Sequence, residues 1–178
     1  SVAMDGAGDF VVVWNSRGQD GSGDGVFGQR FALKPSISLI LPPQLVRVGS
    51  EFQVNTYTTG IQGSPAVATN PRGGFVVVWE SQFGQNGASK DVFGQLFDAS
   101  GARVGSEFQV NTTTLGDQYS PAVGFDTGGN FVVVWEGPDV SGHGIFGQRF
   151  DGTGTKVGQE FLVNSSTSST GYQMEPSL

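Results

Sequence analysis

One five-residue run, Phe-Val-Val-Val-Trp, occurs three times in this chain, ending at Trp14, Trp79 and Trp135. The copies lie 65 and then 56 residues apart, and each is followed by the same further segments. Val26-Phe27-Gly28-Gln29-Arg30-Phe31 is matched by residues 92–97 and 145–150. Glu51-Phe52-Gln53-Val54-Asn55 is matched by 107–111 and, with Leu162 in place of Gln, by 160–164. Ser64-Pro65-Ala66-Val67 is matched by 120–123 and more loosely by 175–178. Recurrence at a fixed period constrains architecture before local propensity does, because each copy must be one supersecondary unit packed on its neighbours. Four segments in a unit of about 55 residues predict an all-β chain of three four-stranded repeats.

The residues within each segment agree. Phe75 to Trp79 is apolar at every position, too short for most helices, and β-branched, which predicts a strand covered on both faces. Small residues at Ala66-Val67-Ala68 suit a crowded inner position. Asx and glycine residues at 5–8, 70–74 and 126–129 supply the backbone that tight hairpins need. The third and fourth segments regain polar alternation, as expected nearer an outer rim. Together these features predict blades of a β-propeller in a single domain over 1–178. Blade 1 spans about 1–64, blade 2 about 65–120 and blade 3 about 121–178. A stacked β-sandwich or β-solenoid array is the alternative architecture.

Three blades are fewer than the usual four to eight, and an open trio exposes two apolar faces. Self-association is therefore expected, with two chains completing a six-bladed ring as the simplest closed solution. Residues 1–5 align with 66–70 and residues 173–178 with 62–67, so the chain starts and stops within the same strand. Either it is cut from a longer array, or one end begins a strand that another end completes. The first unit also departs from the others. From Phe31 to Gly49 is 18 residues, against 8 from Phe97 to Gly105. The insertion, within 32–46, is apolar where a turn should be polar, and reads either as a long loop folded back on the rim or as a partner-binding tongue.

Charge and composition narrow the function. The nine Lys and Arg are scattered and the net charge is −7, which argues against a nucleic-acid partner. No stretch approaches the apolar length of a spanning helix, and no charged n-region followed by an apolar run marks a signal peptide. The chain opens at Ser1, as a processed or excised piece would. With no cysteine, disulfides, a thiol nucleophile and Cys-ligated zinc are excluded within the chain.

Residues 18–31 read GQDGSGDGVFGQRF, 64–68 SPAVA, 75–81 FVVVWES, and 48–56 and 104–112 both VGSEFQVNT. Units of this form resemble the tandem repeats of large secreted bacterial adhesin-like proteins, which also carry haemolysin-type calcium-binding repeats or cadherin-like modules. The resemblance covers the chain apart from the insertion. It implies an extracellular or cell-surface setting and brings no catalytic residues with it.

Three chemistries remain to be weighed on the residues themselves. Catalysis has little to work with. His143 is the lone histidine, its counterparts are Asp24 and Lys90, and it reads as an exposed residue of a glycine-rich loop. Glu80 and Glu136 could form a carboxylate pair only if two blades converged. Calcium, the one cofactor in view, is suggested by Asp20, Ser22 and Asp24, which set oxygens at alternate positions without a closing Glu. The plainer reading of the same loop is a glycine-rich turn with Asx hydrogen bonds. Carbohydrate binding is suggested by Trp14, Trp79 and Trp135 with Glu80, Glu136, Arg30 and Arg149, repeated aromatic and charged groups of the kind that grip sugars. Against it, a Trp ending a buried strand is commonly core, and the repeated Gln29, Gln95, Gln148 and Asn55, Asn111, Asn164 read as structural ties. The expected function is a non-enzymatic extracellular interaction or scaffold module, with a multivalent lectin-like propeller as the alternative. The expected partners are a second copy, a glycan or a cell-surface protein, without membrane insertion.

Overall fold

The computed structural model describes residues 1–34, 42–83, 87, 89–140, 142–165 and 174–178. These residues form twelve strands in three four-stranded antiparallel sheets, with no helix among them. Sheet 1 is the meander β1 (Val2–Met4), β2 (Phe10–Arg17), β3 (Asp24–Lys34) and β4 (Gln44–Gln53). Sheet 2 is β5 (Ile61–Thr69), β6 (Phe75–Gln82), β7 (Asp91–Phe97) and β8 (Arg103–Gln109). Sheet 3 is β9 (Tyr119–Phe125), β10 (Phe131–Asp139), β11 (Gly142–Phe150) and β12 (Lys156–Leu162). The repeat therefore becomes one sheet per unit, in sequence order.

The sheets stack face to face through two apolar cores. Val11, Val13, Val26 and Val54 of sheet 1 meet Val67, Phe75, Val77, Trp79, Phe93 and Phe97 of sheet 2. Val76, Val78, Val92, Leu96 and Val110 on the other face of sheet 2 meet Val123, Phe131, Val133, Trp135 and Phe150 of sheet 3. Strand β6 is thus buried on both sides, which is why its apolar run does not alternate. In β2 only Val11 and Val13 are buried, while Phe10, Val12 and Trp14 on the opposite face are half-covered.

Two irregularities recur from unit to unit, the second in all three sheets. The inner strands β5 and β9 bend at Ser64 and Ser120, whose φ values are +50° and +48°, each just before a proline that cannot donate to the ladder. Glu175, also before a proline, has φ +55°. Between the third and fourth strands the register slips at Gln29, Gln95 and Gln148. There Gly28, Gly94 and Gly147 let a phenyl ring lie on the backbone. A Cβ at Gly94 would stand 2.8 Å from Phe108 Cζ, and one at Gly147 2.7 Å from Phe161 Cζ.

At its base the insertion is strand rather than loop. Ala32, Leu33 and Lys34 pair with Val46, Leu45 and Gln44, so β3 and β4 lengthen into a hairpin arm. Leu33 and Leu45, and Ala32 and Val46, aliphatic residues that look wrong for a turn, are cross-strand pairs. Its tip, 35–41, lies outside the described residues. His143 also sits differently from expectation. It is on β11, paired with Pro138 and half-buried, because β10 and β11 run on to Asp139 and Gly142 and shorten the loop.

Candidate functional site

The repeated polar residues first satisfy the fold. Asn55 Oδ1 accepts from Val26 N–H, Asn111 Oδ1 from Val92 N–H and Asn164 Oδ1 from Ile145 N–H, at 2.8, 2.8 and 2.7 Å. Gln29, Gln95 and Gln148 each donate from Nε2 to the next residue's carbonyl at 2.9–3.0 Å. These amides bind the fourth strand and the bulge of each sheet, as the sequence suggested.

A second set of polar groups spans the seams between sheets. Arg103 of β8 donates from Nη2 to Gln53 O at 2.6 Å and to Val54 O at 3.2 Å. Glu107 Oε2 accepts from Thr56 N–H and Oγ1–H at 2.7 and 2.9 Å. One seam later, Lys156 Nζ reaches Asn111 O and Thr112 Oγ1, while Glu160 Oε2 accepts from Thr112 N–H at 2.6 Å. Burial pushes the Lys156 ammonium below its usual range, against an opposing pull from Glu160. Arg30 hooks the turn of sheet 2 through Ala99 O and Ser100 O.

The densest polar cluster lies at one end of the seam between sheets 2 and 3. Glu80, 7% exposed, takes the Lys90 ammonium at 2.9 Å and the Ser120 N–H at 2.8 Å. Lys90 stands 5.0 Å from the Tyr119 ring centre, and the Tyr119 hydroxyl donates to Asp117 Oδ2 at 2.9 Å. Burial and then the Asp117 bond push the phenol up from its ordinary 10.0. Glu136, similarly buried, meets His143 Nδ1 at 2.9 Å, and the imidazole stacks near Tyr119. Each carboxylate thus has a basic partner on the neighbouring strand, an arrangement suited to holding a seam. Asp117 and Tyr119 carried no sequence signal, because they stand where unit two has Ile61 and Gly63.

The other candidate residues are dispersed. Trp79 and Trp135 are fully buried. Trp135 Nε1 donates to Gln118 Oε1 at 2.9 Å, whereas Trp79 Nε1 is buried without a hydrogen-bond partner. Trp14 is half-covered and lines a groove of about 510 Å³ with Val12, Gln29, Phe31, Arg47 and Glu51. Arg149 is exposed on sheet 3 and borders a different groove, beside Phe125 and Val132. In the calcium candidate, Asp20 Oδ1 accepts from Ser22 N–H at 3.1 Å in an Asx turn, and Oδ2 is buried without a partner. Among the described residues no three His, Cys, Asp or Glu side chains gather to hold a metal ion. Likewise no helix among them is long and apolar enough to cross a membrane. Comparison with known proteins finds no matching family model, no matching curated protein and no matching solved structure.

Proposed function

We propose that this chain is a non-enzymatic interaction and scaffold module of extracellular, adhesin-like type. Its three sheets are blades of a β-propeller, and self-association of two chains completes a six-bladed ring. One observation supports this reading above the rest: the polar side chains that recur from unit to unit join strand to strand and sheet to sheet. Glu80 and Glu136, the carboxylates a hydrolase would need, are held by Lys90 and His143 within the seam. What the repeat presents outward is surface. An extracellular setting follows from the resemblance of the repeats, and the partner class is another copy of the chain or a cell-surface protein.

A second reading, carbohydrate binding, is favoured by Trp14 alone. It is the one tryptophan with an uncovered part, and Gln29, Arg47 and Glu51 around it could bind sugar hydroxyls. A glycan array probed with the chain and with Trp14→Ala separates the two. Silence from both is the expected result. Sugar-competed binding that Trp14→Ala abolishes would replace the scaffold reading with the lectin one.

A further inference from the structure

The two seams inside the chain use the same residue positions, and each position has a third copy that faces outward. Val54 and Val110 are completely buried by the next sheet, while their equivalent Val163 is 53% exposed. Val26 and Val92 are completely buried, and Ile145 is half-covered. On the opposite face, Phe75, Val77 and Trp79, like Phe131, Val133 and Trp135, are at most 3% exposed, and Phe10, Val12 and Trp14 are only half-covered. Among the described residues, then, no sheet covers the outer face of sheet 3 or the outer face of sheet 1.

The polar ties have the same unmatched copies. Arg103 and Lys156 reach the backbone that follows the fourth strand of the preceding sheet, and Glu107 and Glu160 accept from it. The register partners of Phe97 and Phe31 are Arg103 and Arg47, so Arg47 and Glu51 are the sheet 1 members of this set. Both are exposed and border the Trp14 groove. The backbone they would meet by equivalence is 162–165, at the end of sheet 3. The outer face of sheet 3 is also shaped for a further unit. Glu175 has the positive φ of Ser64 and Ser120, and Leu178 Cβ comes within 3.6 Å of where a Cβ on Gly124 would lie. Leu178 thus lies against β9, and Glu175 has the φ with which an inner strand of this repeat begins.

We propose that the free face of sheet 1 receives the free face of sheet 3 of a second copy. Arg47 of one copy donates to the backbone carbonyls of Leu162 and Val163 of the other, and Glu51 accepts from the N–H of Ser165. The contact is heterologous, so repetition closes a ring or extends a filament according to the rotation at each step. The proposal rests on the reading of the sheets as stacked blades, and it places a second copy over the groove that a sugar would otherwise use.

The chain has no cysteine, so introduced pairs report unambiguously. Thr56→Cys with Glu107→Cys probes the seam inside the chain. Glu51→Cys with Ser165→Cys probes the equivalent seam between copies. With a short bis-maleimide cross-linker, which spans the gap the lost Glu side chain leaves, the first pair should close within a monomer, and the second should give covalent dimers or larger species on a denaturing gel. Sedimentation of the wild-type chain at micromolar concentration should show more than monomer, and Glu51→Arg should weaken that association about tenfold or more, as charge reversal at a paired contact does. If the internal pair closes while the chain stays monomeric and the 51/165 pair yields no intermolecular product, the contact between copies is refuted and the blade reading survives. If the internal pair also fails to close, the blade stacking itself is wrong and the proposal falls with it.

Discussion

Phenylalanine in place of Trp79 and in place of Trp135 should have unequal costs, although both indoles are fully buried. The loss of ring volume is the same at both sites, and both lie in apolar seams of similar composition. The difference comes from the indole N–H. Trp135→Phe leaves Gln118 Oε1, in a side chain only 2% exposed, without the donor it has at 2.9 Å. Stranding a buried acceptor costs about 1–3 kcal/mol. Trp79→Phe instead removes a donor that is already buried without a partner, which offsets part of its packing loss. Trp135→Phe should therefore be less stable than Trp79→Phe by about 2 kcal/mol or more, or roughly 4–8 °C in Tm for a chain of this length. Urea unfolding followed by far-ultraviolet circular dichroism is the suitable assay, since tryptophan fluorescence changes with the substitution itself. Adding Gln118→Leu to Trp135→Phe removes the stranded acceptor and should recover part of the loss. Equal midpoints for the two single variants, or a larger loss at Trp79, would refute the reasoning.

Two further outcomes follow from the recurring turns and bulges. Gly94→Ala drives a methyl into the Phe108 ring and should cost about 1–3 kcal/mol through overpacking, whereas Gly63→Ala, with nothing within 4 Å, should be near neutral; equal shifts in a thermal melt would contradict this. Asp98, Asp126 and Asp151 are held below the ordinary 3.8, first by the Ser100, Asn130 and Thr153 side chains and then by turn N–H groups. A depressed carboxylate contributes stability above its unfolded value and loses it as pH falls through the folded one. The melting temperature should drop below about pH 4, and the triple Asp→Asn variant, which keeps the acceptor as Asn70 does, should drop less steeply. Parallel pH profiles would show that these exposed turns contribute nothing.

The three-sheet organisation was legible because it depends on what the units share. A run of apolar residues at every position, as in Phe75 to Trp79, has meaning only if both faces are covered, and a repeat supplies a neighbour on each side. The amide ties at Asn55, Asn111 and Asn164 were legible for the same reason, as identical side chains at identical places. The hairpin arm of sheet 1 was not, because aliphatic residues between two strands can equally be loop or ladder until their register is known.

The seam cluster was hidden because it depends on where the units differ. Asp91 stands where the other units have Gly25 and Gly144, and its carboxylate takes Asn111 Nδ2 at 2.6 Å. The corresponding Asn55 Nδ2 is not so engaged and donates to Gln62 Oε1 at 3.2 Å. Gln118, the counterpart of Gln62, gives its Oε1 to Trp135 instead. One added carboxylate thus redirects an asparagine, changes the partner of a glutamine, and decides which of two identical tryptophans is hydrogen-bonded. Repetition in the sequence establishes the sheets and their order, but a single departure from it is passed along a chain of amides into the next sheet. That chain can be followed only once the facing residues of two units are seen together. The same logic separates Arg47 and Glu51 from their relatives: Arg103 and Glu107 have the backbone of a preceding sheet to bind, whereas Glu51 takes Gln19 Nε2 of its own sheet.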